Sequence, residues 1–290
     1  MSKTLLFMRT HLITKGVISE FLKLKNSGVY DCVLFIDNHK QIINTSTEPL
    51  LSSEINCFVF DSDVFDSLNL PLYANKNNNK KLSEVMWYCA DYAFYAIRKY
   101  YTKYEYYWQF DYDVFLNGKS YEPFLNNYKE NNKDLIIPYF RELTAFDANW
   151  PIKDKSDWIY KNVKKFGSFF PVSRLSANAI DYLYKKRLEH KAIFCNKIYK
   201  SKKNRWIKCE LFVPTELGNS KEFECECIDN QPLRFFPNYD LNEDRLFENP
   251  DNLIYHPVKG NYEEKLELLN KKLKDAKFSL FGYNLNFYKN

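Results

Sequence analysis

The chain has 290 residues, with 42 Lys and Arg against 37 Asp and Glu, for a formal net charge of +5. Such a length can bury a large core, while so mild and dispersed a charge excludes a nucleic-acid groove and leaves a weak bias toward anionic surfaces and phosphorylated ligands. Glycine is scarce at 7 residues and neither GxGxxG nor GxxxxGK[ST] occurs, so the phosphates of any nucleotide would fall to side chains and a metal.

In chain order, Thr4 to Met8 is a short apolar run opening into Arg9-Thr10-His11, a first strand with a polar end. Val17, Ile18, Phe21, Leu22 and Leu24 recur at helical spacing from Gly16, and Asn26-Ser27-Gly28 stops that helix. Tyr30 to Ile36 is a second buried strand, ending in Asp37-Asn38-His39, and Ile55 to Phe60 a third, ending in Asp61-Ser62-Asp63. Strand–helix–strand order with polar strand ends is the sequence form of an α/β unit on a parallel sheet. Ligands of such sheets sit at the carboxyl ends of the strands, so Arg9, Asp37, Asp61 and Asp111 should line one rim.

An exposed loop over residues 74–81 precedes a helical period through Leu82, Val85, Met86, Cys89, Ala93, Ala96, Ile97 and Tyr100. That helix should pack on the sheet, its aromatic stripe serving as core. Tyr106 to Leu116 (YYWQFDYDVFL) then reads as one buried strand carrying Asp111 and Asp113. Residues i and i+2 of a strand share a face, so both carboxylates should leave on the same side. Two like charges so placed need a cation, and hard divalent cations prefer carboxylate oxygens. The pair is therefore a candidate seat for a metal–diphosphate complex, and its bland counterpart is a solvated strand end before the turn at Asn117-Gly118.

Beyond it, Glu122 to Asn132 reads as a polar helix and Asp134 to Phe140 as a buried strand. Trp150 and Trp158 fall in an irregular stretch and are candidate lids over a sugar. Phe166 to Val172 reads as a strand entering a helix at Ser173, Phe223 to Ile228 as a strand, and Glu263 to Lys274 as an amphipathic helix. His256 lies in the short apolar strand Leu253 to Val258, where a core role competes with a metal role. Glu210 stands between Cys209 and Leu211-Phe212, and a carboxylate in apolar surroundings has to be paired or functional.

Seven cysteines without a CxxC pair point to reduced thiols in a cytoplasm. The opening MSKTLLFMRTHLITKG is too short in its apolar run for a signal peptide, and no stretch of about 18 apolar residues spans a membrane. Aromatics at 18% suit strands, large cores and surfaces that stack on sugars.

The strand–helix–strand opening, the FDYD strand, KFGSFFPVSRLS, KCELFVPTEL and the late YHPVK together resemble a GT-A glycosyltransferase of bacterial surface-polysaccharide (lipopolysaccharide or capsule) type, over about residues 3–260. The resemblance implies a Rossmann-type, mostly parallel sheet flanked by helices in one compact domain. Residues 1–118 would form the nucleotide-sugar half, and residues 119–290 the acceptor half with a C-terminal helix. It implies a divalent metal, Mn2+ or Mg2+, at Asp111, Asp113 and His256, with Asp111 also near the ribose or a water of the metal shell. Arg9, Thr10, His11 and Asp37 would contact the donor, Glu210 would be the base on the acceptor hydroxyl, and Trp150, Gly167, Ser173 and Arg174 would border the acceptor. In many relatives an acidic residue directly precedes the base. Cys209 takes that place in this chain and leaves Glu216 and Asp147 as alternatives to Glu210.

The activity implied is transfer from a nucleotide sugar, UDP-linked by analogy, to a hydroxyl of a glycan or lipid-linked acceptor, with inversion preferred and retention open. The place implied is the cytoplasm, peripheral to the inner membrane face, with no nucleic-acid partner. Two other classes stay open. One is a metal-dependent phosphoryl-transfer enzyme or nuclease, which needs a further acidic cluster such as Asp61 and Asp63. The other is a non-catalytic nucleotide- or carbohydrate-binding protein.

Overall fold

The computed structural model describes residues 3–71, 86–144, 159–195, 206–228, 233–235 and 252–258. The expected loop over 74–81, Trp150, Trp158, Asp147 and the helix over 263–274 lie outside the described residues.

A seven-stranded mixed sheet organises the molecule. Its strands are β1 (Thr4–Thr10), β2 (Asp31–Asp37), β3 (Cys57–Phe60), β4 (Tyr106–Asp111), β6 (Leu135–Ile137), β9 (Val172–Ser176) and β10 (Cys225–Cys227). The order across the sheet is β10-β6-β9-β4-β1-β2-β3, and of these seven only β9 runs against the rest. The chain winds outward from β1 to β3 and then returns to place β4 on the other side of β1. The reversal leaves a crevice at the carboxyl ends of β1 and β4, the topological switch point where ligands of open α/β sheets bind.

Both faces of the sheet are covered, which is why its strands read as near-continuous apolar runs. Leu5, Phe7, Val33, Phe35, Tyr107, Leu135 and Leu175 face one core layer, shared with α3 (Asp91–Tyr100), α5 (Ala177–Cys195) and α6 (Cys209–Asn219). Leu6, Met8, Leu34, Ile36, Trp108, Phe110, Ile136 and Val172 face the other, shared with α1 (Lys15–Lys25) and α4 (Glu122–Asn126). A short α2 (Ser62–Asp66) follows β3. By the two-residue alternation, Arg9, Gln109 and Asp111 leave the sheet on the side of α3, α5 and α6.

Local signals explain the helix ends. Thr14 caps α1 by accepting from the Val17 N–H at 3.3 Å, and Lys23 and Lys25 lie in its last turn. Asp61 caps α2 through the Val64 N–H at 3.0 Å.

Three expectations need correction. The stretch Tyr106 to Leu116 is not one strand: β4 stops at Asp111, the Val114 N–H turns back to Asp111 O at 3.0 Å, and β5 (Phe115–Leu116) joins a separate three-stranded sheet. Asp113 therefore reaches its neighbour through a turn rather than through strand alternation. The helix expected from Ser173 begins at Ala177, because Val172–Ser176 is hydrogen-bonded on both edges, to β4 and β6, and Ser176 Oγ accepts from the Ala179 N–H at 3.1 Å as the cap. The polar helix expected over Glu122 to Asn132 ends at Asn126 and continues as turns.

Deep in the first core layer, Arg187 of α5 and Asp91 of α3 form an ion pair with neither side chain exposed. Two guanidinium N–H groups donate to the carboxylate at 2.8 and 3.0 Å, a third donates to Ile207 O at 2.8 Å, and the Tyr95 hydroxyl donates to Asp91 at 2.8 Å. Every charge is matched, and the network ties two helices to the segment leading into α6. Removing one partner leaves an uncompensated buried charge, so Arg187→Met should lower unfolding stability by about 3–5 kcal/mol. The double change Asp91→Leu with Arg187→Met should recover much of that loss. Urea denaturation of the two variants checks it, and a loss under about 1 kcal/mol for the single change would show that the pair is dispensable.

Candidate metal and active site

The switch point carries an ion pair set by strand register. Arg9 of β1 is the parallel partner of Asp111 on β4. Its Nε donates to Asp111 Oδ1 at 3.0 Å and its Nη2 to Oδ2 at 2.9 Å, a two-pronged grip on one carboxylate. Gln109 Nε2, wholly buried, adds a donor to Oδ1 at 3.2 Å, and the third arm of Arg9, Nη1, donates to Met86 O. Burial pushes the Asp111 carboxyl above its ordinary value against the pull of Arg9; Asp113 adds to the push and His256 opposes it. A divalent cation relieves this kind of strain between neighbouring carboxylates.

Asp113, Asp111 and His256 each offer a ligand atom, all within 4.8 Å of one another, with His256 Nε2 at 3.2 Å from Asp113 Oδ1. Two carboxylates and one imidazole form a donor set that suits Mn2+ or Mg2+, so the residues fit the expected ion. His256 arrives through β12 (Ile254–His256), which pairs antiparallel with β5 and parallel with β11 (Leu233–Phe235). The Val258 N–H donates to Asp113 O at 2.8 Å, the Asn252 N–H donates to Asn117 O at 2.9 Å, and the Asn117 N–H donates to Leu253 O at 2.9 Å. Gly118 is closely approached by Asn252: a Cβ there would stand 2.5 Å from Asn252 Oδ1 and 3.3 Å from its Cα, so the Asn252 side chain would have to move. Under β5, Glu20 of α1 accepts from the Leu116 N–H at 2.9 Å and from Lys23 Nζ at 2.8 Å, fixing the turn that carries Asp113.

The remaining expected donor contacts divide. His11, half-buried, stands edge-on to Tyr112 with ring centroids 4.7 Å apart. Burial holds its pKa below the ordinary value, helped by Lys40 and Arg9 and opposed by Asp37 and Asp113, so all five groups share one neighbourhood. Asp37 is 4% exposed and held by His39, through the backbone N–H at 3.3 Å and through Nδ1. Thr10 turns inward, its hydroxyl accepting from the Leu12 N–H at 3.0 Å. Asp61 is spent on its helix cap, and among the described residues no second cluster of metal-ligating side chains joins the triad.

On the acceptor side, Glu210 lies half-buried in the first turn of α6, and its carbonyl accepts from the Ser168 N–H at 3.1 Å. Gly167, on β8 (Phe166–Gly167), pairs with Arg141 of β7 (Arg141–Glu142), so it does stand beside Glu210. From there the chain runs to the metal triad: Phe169 packs edge-on against His256 at 5.5 Å, and Pro171 O accepts from the Asp111 N–H at 2.8 Å. One short segment thus spans the candidate base and the candidate ligands. Ser173 and Arg174 do not reach it. Both are buried in β9, and the Arg174 guanidinium donates to Tyr128 O, Asn131 Oδ1 and Lys133 O while lying 4.4 Å over the Tyr106 ring, a framework role.

Residues that the sequence did not single out include Gln109, Met86, His39, Glu20 and Phe169. Asp-Asn-His after β2 was a visible signal for His39, but nothing in the sequence marked Glu20 or Phe169 as neighbours of the triad.

No family model and no curated protein matches the sequence. Among solved structures, the chain is similar to mouse xyloside xylosyltransferase 1 in its apo form, at 12% identity and TM-score 0.45, covering 90% of this chain and 98% of that one. It is also similar to a glycosyltransferase involved in glycosylation of the major capsid of PBCV-1, at 9% identity and TM-score 0.41, covering 92% and 98%. At such identities and overlaps the likenesses carry no argument, and function has to be argued from the residues.

Glu216, the alternative base, is already engaged. Its carboxylate accepts from the Tyr160 hydroxyl at 2.6 Å and lies 3.3 Å from His190 Nε2. Burial alone would raise its pKa, but the bonds from His190 and Tyr160 outweigh burial and hold the group below the ordinary value of 4.5. A carboxyl depressed in the folded state stabilises the fold above its unfolded pKa and loses that contribution as pH falls through the folded value. The stability gap between wild type and Glu216→Gln should therefore be largest at neutral pH and narrow below pH 4.5. Urea denaturation across pH measures it, and a gap independent of pH would show that the carboxylate is not linked to folding.

Proposed function

We propose that this chain is a metal-dependent GT-A-type glycosyltransferase that moves a sugar from a nucleotide sugar to a hydroxyl group of a glycan or lipid-linked acceptor. The observation that carries the reading is the Asp111–Asp113–His256 set at the switch point of the sheet, with Arg9 already balancing one carboxylate. A divalent cation held by Asp113, His256 and Asp111 would supply positive charge to the diphosphate of the donor as that group departs. The chain's own residues do the rest. Arg9 and Gln109 fix the Asp111 carboxylate, and the wall formed by His11, Tyr112 and Asp37 borders the donor side. Glu210 takes the proton from the attacking hydroxyl. Its place on the Ser168 side of the Phe166-to-Pro171 segment supports the division into donor and acceptor halves at residues 1–118 and 119–290.

The finer terms of the reading are a UDP-linked donor, inversion at the anomeric carbon and bacterial surface polysaccharide as the product, and they are supported by the sequence motifs FDYD, KCELFVPTEL and YHPVK. Work at the inner face of a membrane rests on the resemblance to surface-polysaccharide enzymes. Among the described residues no helix is long and apolar enough to cross a membrane.

Three substitutions test the reading. Asp113→Asn removes one charge from the cation site, so manganese-dependent UDP binding should be lost while the melting curve stays cooperative. His256→Ala should weaken the same binding less, since a neutral ligand goes and both carboxylates remain. Unchanged UDP affinity of Asp113→Asn in manganese, measured by calorimetry, would sink the metal assignment. For the acceptor side, Glu210→Gln keeps shape but cannot accept a proton at neutral pH. Donor and metal binding should persist while transfer falls by roughly 100-fold or more. Turnover within about threefold of wild type would remove Glu210 from the base role.

A further inference from the structure

We infer that Trp87 is the stacking platform of an acceptor-carbohydrate subsite, on which one pyranose ring lies beside the candidate base Glu210. Trp87 is 74% exposed, against 52% or less for the other large apolar side chains that reach the surface among the described residues. The helical period of the sequence runs through Met86 and Cys89 and leaves Trp87 off the apolar face, and its indole stands outside the packing that its neighbours obey. Met86, Tyr88, Cys89 and Ala90 are all buried. A single indole turned out of an otherwise buried run has a surface to offer a ligand.

Its position is fixed from two directions. The preceding residue, Met86, accepts from Arg9 Nη1 through its carbonyl, and Arg9 in turn grips Asp111. On the other side, Lys208 Nζ lies 5.6 Å from the Trp87 ring centroid and 4.9 Å from that of Tyr88. Lys208 is the N-cap residue of α6, two residues before Glu210, and Tyr88, Cys89 and Ala90 share one buried cluster with Cys209, the first residue of that helix. The segment from Met86 to Ala90 is therefore packed against the start of the helix that carries Glu210, and Trp87 projects at that junction.

The chemistry of the junction selects a sugar. A pyranose has an apolar face of C–H bonds that meets the electron-rich face of an indole, and a rim of hydroxyls that needs donors and acceptors. Lys208, whose ammonium lies over one face of the indole, offers N–H donors there and Glu210 a carboxylate, the polar complement a hydroxylated ring on the other face requires. A lipid chain or an apolar protein surface would find a lysine ammonium against the same ring. The subsite rests on the glycosyl-transfer reading above for its role as acceptor, and on exposure and contacts alone for its binding of carbohydrate.

The test uses full-length protein and a panel of methyl pyranosides (gluco, galacto, xylo and N-acetylglucosamine) in saturation-transfer NMR titrations, with UDP affinity in manganese measured in parallel. Wild type should bind at least one glycoside. Trp87→Ala should weaken that binding by about 10-fold or more, while Trp87→Phe, which keeps a π face, should lose much less. UDP affinity and melting temperature should be unchanged in both variants; where the alanine variant melts low, Trp87→Leu repeats the comparison with an apolar side chain that has no π face. Failure of wild type to bind any glycoside, or equal binding by Trp87→Ala, overturns the subsite and leaves the donor–metal reading standing if UDP still binds. Glycoside binding that depends on Trp87 in a protein without manganese-dependent UDP affinity keeps the carbohydrate site and removes the transferase reading.

Discussion

Two carboxylates at the carboxyl end of β4 set the terms for everything around them. Asp111 is gripped by Arg9 and Gln109 in a crevice where burial opposes its charge, and Asp113 stands 6% exposed at the next turn. Left alone, such a pair drives one member to hold its proton. The fold answers with an asymmetric arrangement. Arg9, delivered by the β1–β4 register, matches Asp111 and locks its rotamer, while His256 is brought to Asp113. One acid is balanced and oriented by the framework, and the other meets the imidazole, while both still offer an oxygen to a cation. Exchanging Arg9 for a lysine would keep the charge and lose the two-pronged geometry that makes this division possible.

The second carboxylate depends on elements far from it in sequence. Its turn is closed by β5 pairing with β12, an arrangement that packs Asn252 closely against Gly118. The same turn is anchored from below by Glu20, a buried carboxylate that is tolerable only because Leu116, Tyr121 and Lys23 all donate to it. The three-stranded sheet thus acts as a clasp that carries a histidine to the switch point. It brings together a candidate metal-binding group whose members, Asp113 and His256, are 143 positions apart in sequence.

What the sequence revealed follows from where the physical signal is local. β1, β2, β3 and β4 were legible because strands buried on both faces write continuous apolar runs, and each run ended in the polar residues that mark the rim. The triad was legible as residue types, Asp111 and Asp113 by spacing and His256 by rarity. The reason for their closeness was not, since alternation along a strand was expected and a turn followed by a hairpin-like closure was found. Ser173 and Arg174 misled because serine and arginine before a helical period look like a helix start. Whether a serine caps a helix or lies in a strand depends on what pairs beside it, and β4 and β6 are distant in sequence. Arg174 shows the same limit, because its partners Tyr128, Asn131 and Lys133 lie more than forty residues upstream. Trp87 lies off the helical period through Met86 and Cys89, so no role for it was legible in the sequence, and only the packed structure shows how far its indole is exposed.

The buried pair of Asp91 and Arg187 explains how these separate pieces hold one geometry. An ion pair without exposure gives little net stability over apolar packing, so its value lies in the arrangement it permits. Arg187 also donates to Ile207 O, one residue before Lys208, and the Trp206 indole N–H donates to the Tyr92 hydroxyl at 2.8 Å. The entry to α6 is thereby fastened to α3 and α5 at two buried polar points before the helix presents Glu210. Asp91, in turn, opens α3 four residues after Trp87. A change in the core pairing would move the lysine, the indole and the carboxylate together, because all three leave the same fastened junction. A deep structural network is in this way also what fixes the acceptor side relative to Arg9, and through Arg9 relative to the carboxylates at the end of β4.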